Sequence, residues 1–182
     1  MNANRVRIIG GRYRSRLLRF PSRPGLRPTP DRVRETLFNW LGQDLSGQDC
    51  LDLFAGSGAL GFEAVSRGAR RAVMVDSDQR AYQALTLSAR ELGCDAAVEL
   101  HRSNALEFVR KCTDAFDIVF LDPPFDGGLA AAILPAMPRL VRPGGSVYVE
   151  GASAVVLAPP WQLHRTGKAG HVIFQLFIYG DQ

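Results

Sequence analysis

The segment Asp122-Pro123-Pro124-Phe125 places a carboxylate, two prolines and an aromatic ring directly after an apolar run at 116–121. The run is typical of a buried β-strand, and the prolines require the chain to turn where it ends. Ligands of open α/β sheets bind at such carboxyl ends of strands. The turn therefore offers hydrogen-bond acceptors beside a stacking surface, which suits a planar base that carries an amino group. The alternative is a rigid loop with a solvated aspartate and a packed phenylalanine.

A second candidate site is the glycine-rich turn at 52–58 (Asp-Leu-Phe-Ala-Gly-Ser-Gly). Gly56 and Gly58 would let the backbone approach a ligand, and the helix that follows offers free N–H groups. Gly61 completes the spacing G-x-G-x-x-G, and Asp76 ends the second strand, where an acid binds ribose hydroxyls. By itself this pattern also fits a dinucleotide such as NAD.

Two further residues favour S-adenosylmethionine as the cofactor. Asp52 precedes the glycines, where it suits a cationic or amine-bearing ligand and would repel a pyrophosphate. Asn104 follows the third strand and can form hydrogen bonds with an adenine edge. The alternatives are that Asp52 is a solvated residue at a strand end and that Asn104 only caps a helix at 105–111. With Asp76 and Asp122, these residues end four successive strands, which predicts one shared site.

The elements that position these residues alternate from residue 48 onward. We predict strands at 48–54, 72–76, 97–101, 116–121 and 145–150, and helices at 57–67, 78–92, 104–111 and 128–141. This order predicts an α/β fold with a parallel sheet covered on both faces. Residues 161–179 differ, because they predict a β-hairpin without an intervening helix.

The N-terminal segment is strongly basic. Residues 1–34 hold ten arginines and one acid (net +9), whereas residues 35–182 hold 12 basic and 17 acidic residues (net −5). Strands at 6–9 and 16–20 surround a glycine turn, and Thr29 is predicted to cap a helix whose first residue is Pro30. We predict a hairpin arm and linker at 1–29, a catalytic domain at 30–182, and RNA contacts from Arg7, Arg12, Arg14, Arg16, Arg27, Arg32 and Arg34.

Composition limits the class of protein. The length of 182 residues suits a domain with a full core, and no apolar stretch approaches a membrane span or a signal peptide. The three cysteines lack the spacing of metal ligands, so we expect reduced thiols and no metal site. We expect a cytoplasmic monomer that does not bind membranes.

The chain resembles the class I S-adenosylmethionine-dependent methyltransferases in its residues 52–58, and the segment 122–125 resembles the [DN]-P-P-[FY] motif of enzymes that methylate exocyclic amines. The segments 7–11 (Arg-Ile-Ile-Gly-Gly), 26–29 (Leu-Arg-Pro-Thr) and 31–41 (Asp-Arg-Val-Arg-Glu-Thr-Leu-Phe-Asn-Trp-Leu) narrow the resemblance to the RsmD family, bacterial 16S rRNA guanine-N2 methyltransferases. Ser15 stands where that family usually has glycine, and Glu150 matches a family acid after the fifth strand.

The resemblance implies a Rossmann-like, seven-stranded sheet, mostly parallel with an antiparallel last strand, together with the N-terminal hairpin and helix. It implies methyl transfer from S-adenosylmethionine to the exocyclic N2 of a specific guanine in 16S rRNA, within the 30S subunit or an assembly intermediate. It assigns catalysis to Asp122, Pro123, Pro124 and Phe125, and cofactor binding to Asp52, Phe54, Ala55, Gly56, Ser57, Gly58, Asp76, Asn104 and Ala105.

Three other functions remain open from the residues alone. The same acceptor-rich turn would serve an enzyme that methylates adenine N6 in DNA or RNA, or a glutamine in a protein, although glutamine enzymes usually carry asparagine before the prolines. The glycine pattern also fits an NAD-dependent oxidoreductase. A non-catalytic RNA-binding factor could retain the same fold.

Overall fold

The computed structural model describes residues 4–22, 29–124 and 128–180, and within them the chain folds around one seven-stranded sheet. Its strands are β3 (Asp49–Asp52), β4 (Arg71–Asp76), β5 (Val98–Arg102), β6 (Phe116–Leu121), β7 (Val141–Gly151), β8 (Trp161–Ala169) and β9 (Val172–Tyr179). The spatial order is β5-β4-β3-β6-β7-β9-β8. The pairs from β5 to β7 are parallel, and β9 runs antiparallel to both of its neighbours. This confirms the fold that the sequence predicts.

Helices cover both faces of the sheet because its central strands are apolar on both sides. One face carries α4 (Ala105–Lys111), α5 (Leu129–Ile133) and α6 (Met137–Leu140). The other face carries α1 (Asp31–Trp40), α2 (Ala59–Ser66) and α3 (Gln79–Leu92). Within the described segments, no helix has the length and apolar character needed to cross a membrane.

The helix predicted at 128–141 is wrong as a single element. The chain forms α5, then a 3-10 turn at Leu134–Ala136, then α6. Pro135 and Pro138 cause this break, because proline has no N–H to donate and its ring crowds the preceding turn. The shortened helices still bury Ile133 and Met137 against the sheet.

The N-terminal hairpin consists of β1 (Asn4–Arg7) and β2 (Leu17–Phe20), which pair antiparallel. Its inner face is apolar, and it shares a hydrophobic cluster with α2 and α3. Ser15 closes the connection at a φ of 69° and donates its N–H to the Ile8 carbonyl oxygen at 2.8 Å. Serine therefore keeps the turn at the position where the family usually has glycine.

Helix α1 begins differently from the prediction. Pro30 is its N-cap residue rather than its first helical residue, and no side chain caps the helix. Thr29, predicted as the cap, instead directs its hydroxyl to Asp122. The linker at 23–28 lies outside the described residues.

Candidate active site

A cavity of about 740 Å³ opens at the carboxyl ends of β3, β4, β6 and β7. The end of each of these strands contributes one acidic side chain to the lining: Asp52, Asp76, Asp122 and Glu150. The glycine-rich turn, Asn104, Pro123, Pro124 and the β8–β9 turn complete the lining. The four residues that the sequence predicts at strand ends (Asp52, Asp76, Asn104 and Asp122) therefore all line one cavity, as expected for an open α/β sheet.

The turn between β3 and α2 is held by hydrogen bonds that its backbone N–H groups donate to β4. The Gly56 N–H donates to Asp76 Oδ2 at 2.9 Å, and the Ala55 N–H donates to the Val75 carbonyl at 2.9 Å. The cavity is lined by Phe54, Ala55, Gly56 and Ser57, whose predicted contacts with the cofactor stay predictions. These bonds fix the turn against β4 before any ligand binds.

Gly58 has a role in packing beside the glycine-rich turn. It does not line the cavity, and its φ of 77° lies in the region that favours glycine. A Cβ at this position would lie 2.5 Å from the Phe62 ring and 2.7 Å from Leu85. Packing between α2 and α3 therefore requires this glycine, and the predicted contact of Gly58 with the cofactor stays a prediction.

Asp52 is buried, so its interpretation as a solvated strand-end residue is wrong. Its carboxylate accepts the N–H groups of Phe54 and Gly61, each at 3.3 Å. Burial, followed by the negative charge of Asp122, raises the pKa of Asp52 to about 7. An acid in this position favours a cationic ligand, because a nearby positive charge would offset the cost of ionising it.

Asp76 and Asn104 are both engaged by the backbone. Asp76 accepts the N–H of Gly56 and, at 2.8 Å, that of Asp78. Asn104 Oδ1 accepts the Leu106 N–H at 2.9 Å and so caps α4. Its amide nitrogen is a donor, and the residue lines the cavity beside Ala105. The capping role and a ligand-binding role are thus compatible.

Asp122 lies at the end of β6, followed by two prolines that line the cavity. Its Oδ2 accepts the Thr29 hydroxyl at 3.2 Å. Burial raises the pKa of Asp122 to about 6, and the Thr29 hydrogen bond opposes that rise. Phe125, the predicted stacking residue, lies outside the described residues.

Comparison with known proteins places this architecture in a family. The family model described as Conserved hypothetical protein 95 matches residues 6–178. Ribosomal RNA small subunit methyltransferase D of Escherichia coli (strain K12) is 41% identical, over 96% of this chain and 90% of the relative. The chain belongs to the RsmD family.

Solved structures agree with the RsmD family fold. A putative methyltransferase from Escherichia coli superposes with a TM-score of 0.88 at 39% identity, covering 98% of this chain and 100% of that one. An RNA methyltransferase from Salinibacter ruber, in complex with S-adenosyl-L-homocysteine, superposes with a TM-score of 0.67 at 18% identity, covering 86% of this chain and 95% of that one. The second likeness supports the fold alone.

The cavity of this RsmD family member fits S-adenosylmethionine. Its volume lies within the range of about 300–1,000 Å³ that is usual for small-molecule sites. Three of its acids have raised pKa values, and neither arginine nor lysine lines it among the described residues. A lining with several acids and without these basic side chains suits a ligand that carries a sulfonium and an ammonium. Within the described ranges, no group of side chains has the arrangement needed to hold a metal ion.

The predicted RNA-binding arginines separate into exposed and buried side chains. Arg7, Arg12, Arg14, Arg16 and Arg32 are exposed, whereas Arg27 lies outside the described residues. Arg34 is fully buried, and the prediction that it contacts RNA is wrong. Its guanidinium donates to the carbonyls of Thr29 and Arg7 at 3.2 and 2.8 Å, and it lies 3.5 Å from the carboxylate of Glu63.

Thr29 and Tyr148 were missed as site residues. Thr29 donates its hydroxyl to Asp122, 93 residues later in the chain, and Tyr148 donates its hydroxyl to Glu150 Oε1 at 2.6 Å. The first contact joins residues far apart in the chain, and the second is buried. No local sequence pattern indicates either of them. Glu150 was noted only through the resemblance, yet it is buried at the cavity wall.

Proposed function

We propose that this chain transfers a methyl group from S-adenosylmethionine to the exocyclic N2 of a specific guanine in small-subunit rRNA. The observation that carries the proposal is Asp122, a carboxylate on a proline-fixed turn that shares one cavity with the glycine-rich turn of β3 and α2. The names of its relatives, which are small-subunit rRNA methyltransferases, support an rRNA substrate.

On the cofactor side, the proposed binding residues are the lining part of the glycine-rich turn, Asp52, Asp76, Asn104 and Ala105. Asp76 is assigned to the ribose hydroxyls and Asn104, through its amide nitrogen, to the adenine edge. When bound, S-adenosylmethionine supplies a methyl group activated by a sulfonium. The buried Asp52 carboxyl favours the positive charge of this ligand over a pyrophosphate.

On the base side, Asp122 and the Pro123 carbonyl accept the two N–H hydrogens of the amine. This matters because the lone pair of a guanine amine is delocalised into the ring and makes it a poor nucleophile. Two acceptors hold the amine in one orientation and stabilise the positive charge that develops on it. The amine takes the methyl group as its bond to sulfur breaks to leave S-adenosylhomocysteine, and it then releases one proton to Asp122 or to water. Fixed orientation supplies much of the rate, so the prolines contribute by holding Asp122 in place. Phe125 is proposed to stack on the base.

The exposed arginines of the hairpin are the proposed RNA contacts. Arg12, Arg14 and Arg16 surround the hairpin turn, and Arg7 and Arg32 lie nearer the start of α1. Arginine gives bidentate contacts with phosphate and stacks on bases. The proposed substrate is 16S rRNA in the 30S subunit or an assembly intermediate, where the target base must leave its stack. The enzyme is proposed to act as a cytoplasmic monomer.

The test is to map the product. Small-subunit rRNA from a strain that lacks this gene is incubated with the protein and S-adenosylmethionine labelled at the methyl group, then digested and analysed by mass spectrometry. We expect a single N2-methylguanosine. Methylated adenine, or no labelled nucleoside with naked RNA and with small subunits, would contradict the proposal.

The Asp122→Ala variant separates catalysis from cofactor binding. We expect at least about a hundredfold loss of transfer, as for removal of a single donor or acceptor that acts in the transition state. Titration calorimetry should give nearly normal S-adenosylmethionine binding, and no binding of NAD. Turnover like that of the wild type in this variant would remove Asp122 from the mechanism.

A further inference from the structure

Glu150 lies beside Asp122 on the neighbouring strand. The parallel register of β6 and β7 pairs Phe120 with Tyr148 and Leu121 with Val149. The next step of this register sets Asp122 opposite Glu150. The side chains of paired residues on parallel strands project from the same face of a sheet. Glu150 lines the cavity with only 4% of its surface exposed, so its carboxyl faces the same space as that of Asp122.

Thr29 lies beside both acids. Its hydroxyl donates to Asp122 Oδ2 at 3.2 Å, and its proximity to Glu150 opposes the rise in the pKa of that carboxyl. Tyr148 holds Glu150 Oε1 from below at 2.6 Å. Burial and the charge of Asp122 raise the pKa of Glu150 to about 8. Two buried carboxyls on adjacent strands are a costly arrangement, and neither the cofactor turn nor the proposed chemistry at Asp122 requires the second one.

Guanine presents its groups in an order that matches this pair. Its Watson–Crick edge carries the N2 amine directly beside the N1–H, so both neighbouring groups are donors. A base whose N2 amine meets Asp122 therefore directs N1–H toward the adjacent strand. A purine that lacks this hydrogen carries a lone pair at N1, which an acceptor oxygen repels.

We propose that Glu150 accepts the N1–H of the target base and thereby determines specificity for guanine. This inference rests on the proposed function. Glu150 would select purines that carry both a 2-amino group and an N1 hydrogen, while Asp122 acts on the amine itself. Tyr148 and Thr29 are then positioning residues, since they fix the two carboxyls rather than contact the base.

The test uses 2-aminopurine, which keeps the N2 amine but has a lone pair at N1. RNA is prepared by ligation with guanine or 2-aminopurine at the position that the wild-type protein methylates, and is offered naked and assembled into small subunits. We expect the wild type to prefer guanine in kcat/KM by about 10- to 100-fold, the usual effect of leaving a buried acceptor without its hydrogen-bond partner. Equal rates on the two RNAs would overturn the inference.

The Glu150→Gln variant should reverse this discrimination. The Tyr148 hydroxyl keeps one oxygen in place, so the amide nitrogen replaces the oxygen that faces the base and can donate to N1 of 2-aminopurine. We expect the guanine preference to fall at least about tenfold while S-adenosylmethionine binding is unchanged. Because one enzyme preparation is compared on two RNAs, the ratio does not depend on the folded fraction.

Glu99→Gln is the matched control. This glutamate lies on β5 at the edge of the sheet and pairs with Arg71 and His101 outside the cavity. The Glu99→Gln variant should prefer guanine over 2-aminopurine to the same extent as the wild type. An unchanged preference in Glu150→Gln would overturn the inference alone, whereas no transfer by the wild type to any RNA or particle would overturn the proposed function as well.

Discussion

The chain buries acids in two regions and treats them in opposite ways. Beneath the hairpin, Glu63 is fully buried and accepts the N–H groups of Ile9 and Gly10 at 2.8 Å each. The guanidinium groups of Arg67 and Arg34 lie 2.9 and 3.5 Å from its carboxylate. At the cavity, Asp52, Asp122 and Glu150 have no arginine or lysine beside them along the lining that the structure describes.

The difference separates a structural acid from acids kept for a ligand. A buried charge is tolerated when cations and N–H groups surround it, and then it fixes the elements that supply them. Buried acids without cations retain their protons more strongly, as the raised pKa values at the cavity indicate. Such a region lowers the stability of the ligand-free protein, which is common at functional sites.

The largest expected effect comes from neutralising the paired acid. Glu63→Gln neutralises the carboxylate that Arg67 and Arg34 share, although Arg34 keeps its pair with Asp31 at 2.7 Å. It also replaces one of the two oxygens that accept the N–H groups of Ile9 and Gly10. We expect a loss of about 3–5 kcal/mol in the free energy of unfolding, as for breaking a buried ion pair. Urea unfolding followed by circular dichroism measures it.

The matched control is Glu107→Gln, which removes an exposed i,i+4 pair with Lys111. Its unfolding midpoint should equal that of the wild type. If Glu63→Gln were equally silent, the hairpin would not be anchored by this carboxylate and the contrast between the two regions would fail.

The second expected effect is a loss of stability with rising pH in the ligand-free protein. The pKa values of Asp122, Asp52 and Glu150 are raised to about 6, 7 and 8, so the folded protein keeps protons that the unfolded chain has already released. Each such group lowers the free energy of unfolding by up to about 1.4 kcal/mol per pH unit until pH passes its folded value. Between pH 5.5 and 8, stability should therefore fall.

Asp52→Asn tests the source of this slope. The variant removes one titrating group, so its stability should fall less steeply over the same pH range. Urea unfolding at several pH values measures both slopes. The expectation fails if the wild type becomes more stable from pH 5.5 to 8, or if stability depends on pH with the same slope in the wild type and the variant.

The third expected effect concerns the exposed cations of the hairpin. Arg12→Ala and Arg14→Ala together remove two proposed phosphate contacts. On single-stranded RNA each contact contributes about 0.7 to the slope of log K against log salt, so the slope should become shallower by about 1.4. Arg110→Ala, on the opposite face of the sheet, is the control. Filter binding at several salt concentrations measures the slopes. Equal slopes for the wild type, the double variant and the control would exclude the two contacts.

The fourth expected effect is smaller and links the two regions through Thr29. Thr29→Val removes the donor that lowers the pKa of Asp122, so the acid limb of the pH–rate profile should move to higher pH. At pH 7 we expect a fall in kcat of about tenfold or less, the effect of one neutral hydrogen bond. Thr36→Val, which loses only a bond to the Arg32 carbonyl within α1, should leave the profile in place.

Local sequence patterns predict the elements of this fold better than the contacts of its site. Alternating apolar and polar segments predict the strands from β3 to β9, and Pro135 and Pro138 could have marked the break between α5 and α6. The charge pattern places Arg34 among the basic side chains of the arm, because charge alone does not indicate whether a side chain is buried. Its partner Glu63 lies 29 residues later, on α2.

The same reason explains Thr29 and Glu150. The hydrogen bond from Thr29 to Asp122 spans 93 residues of the chain. The local pattern of a threonine before a proline instead predicts a helix cap. The neighbours of Glu150 follow from strand order and register, which a single sequence does not specify. The predicted residues that do line the cavity belong to short motifs, where composition and spacing lie in one segment.

The smallest expected effect tests whether the hairpin is stabilised together with the region of the paired acid. Ser15 adopts a φ of 69°, a conformation that costs side chains with a Cβ about 1–2 kcal/mol and glycine much less. Glycine also loses more entropy on folding, so Ser15→Gly should stabilise the chain by about 0.5–1 kcal/mol. Because the hairpin shares its core with α2 and α3, the gain should appear in the main unfolding transition. A gain confined to a separate, earlier transition would show that the hairpin unfolds independently, and the anchoring assigned to Glu63 would then be local.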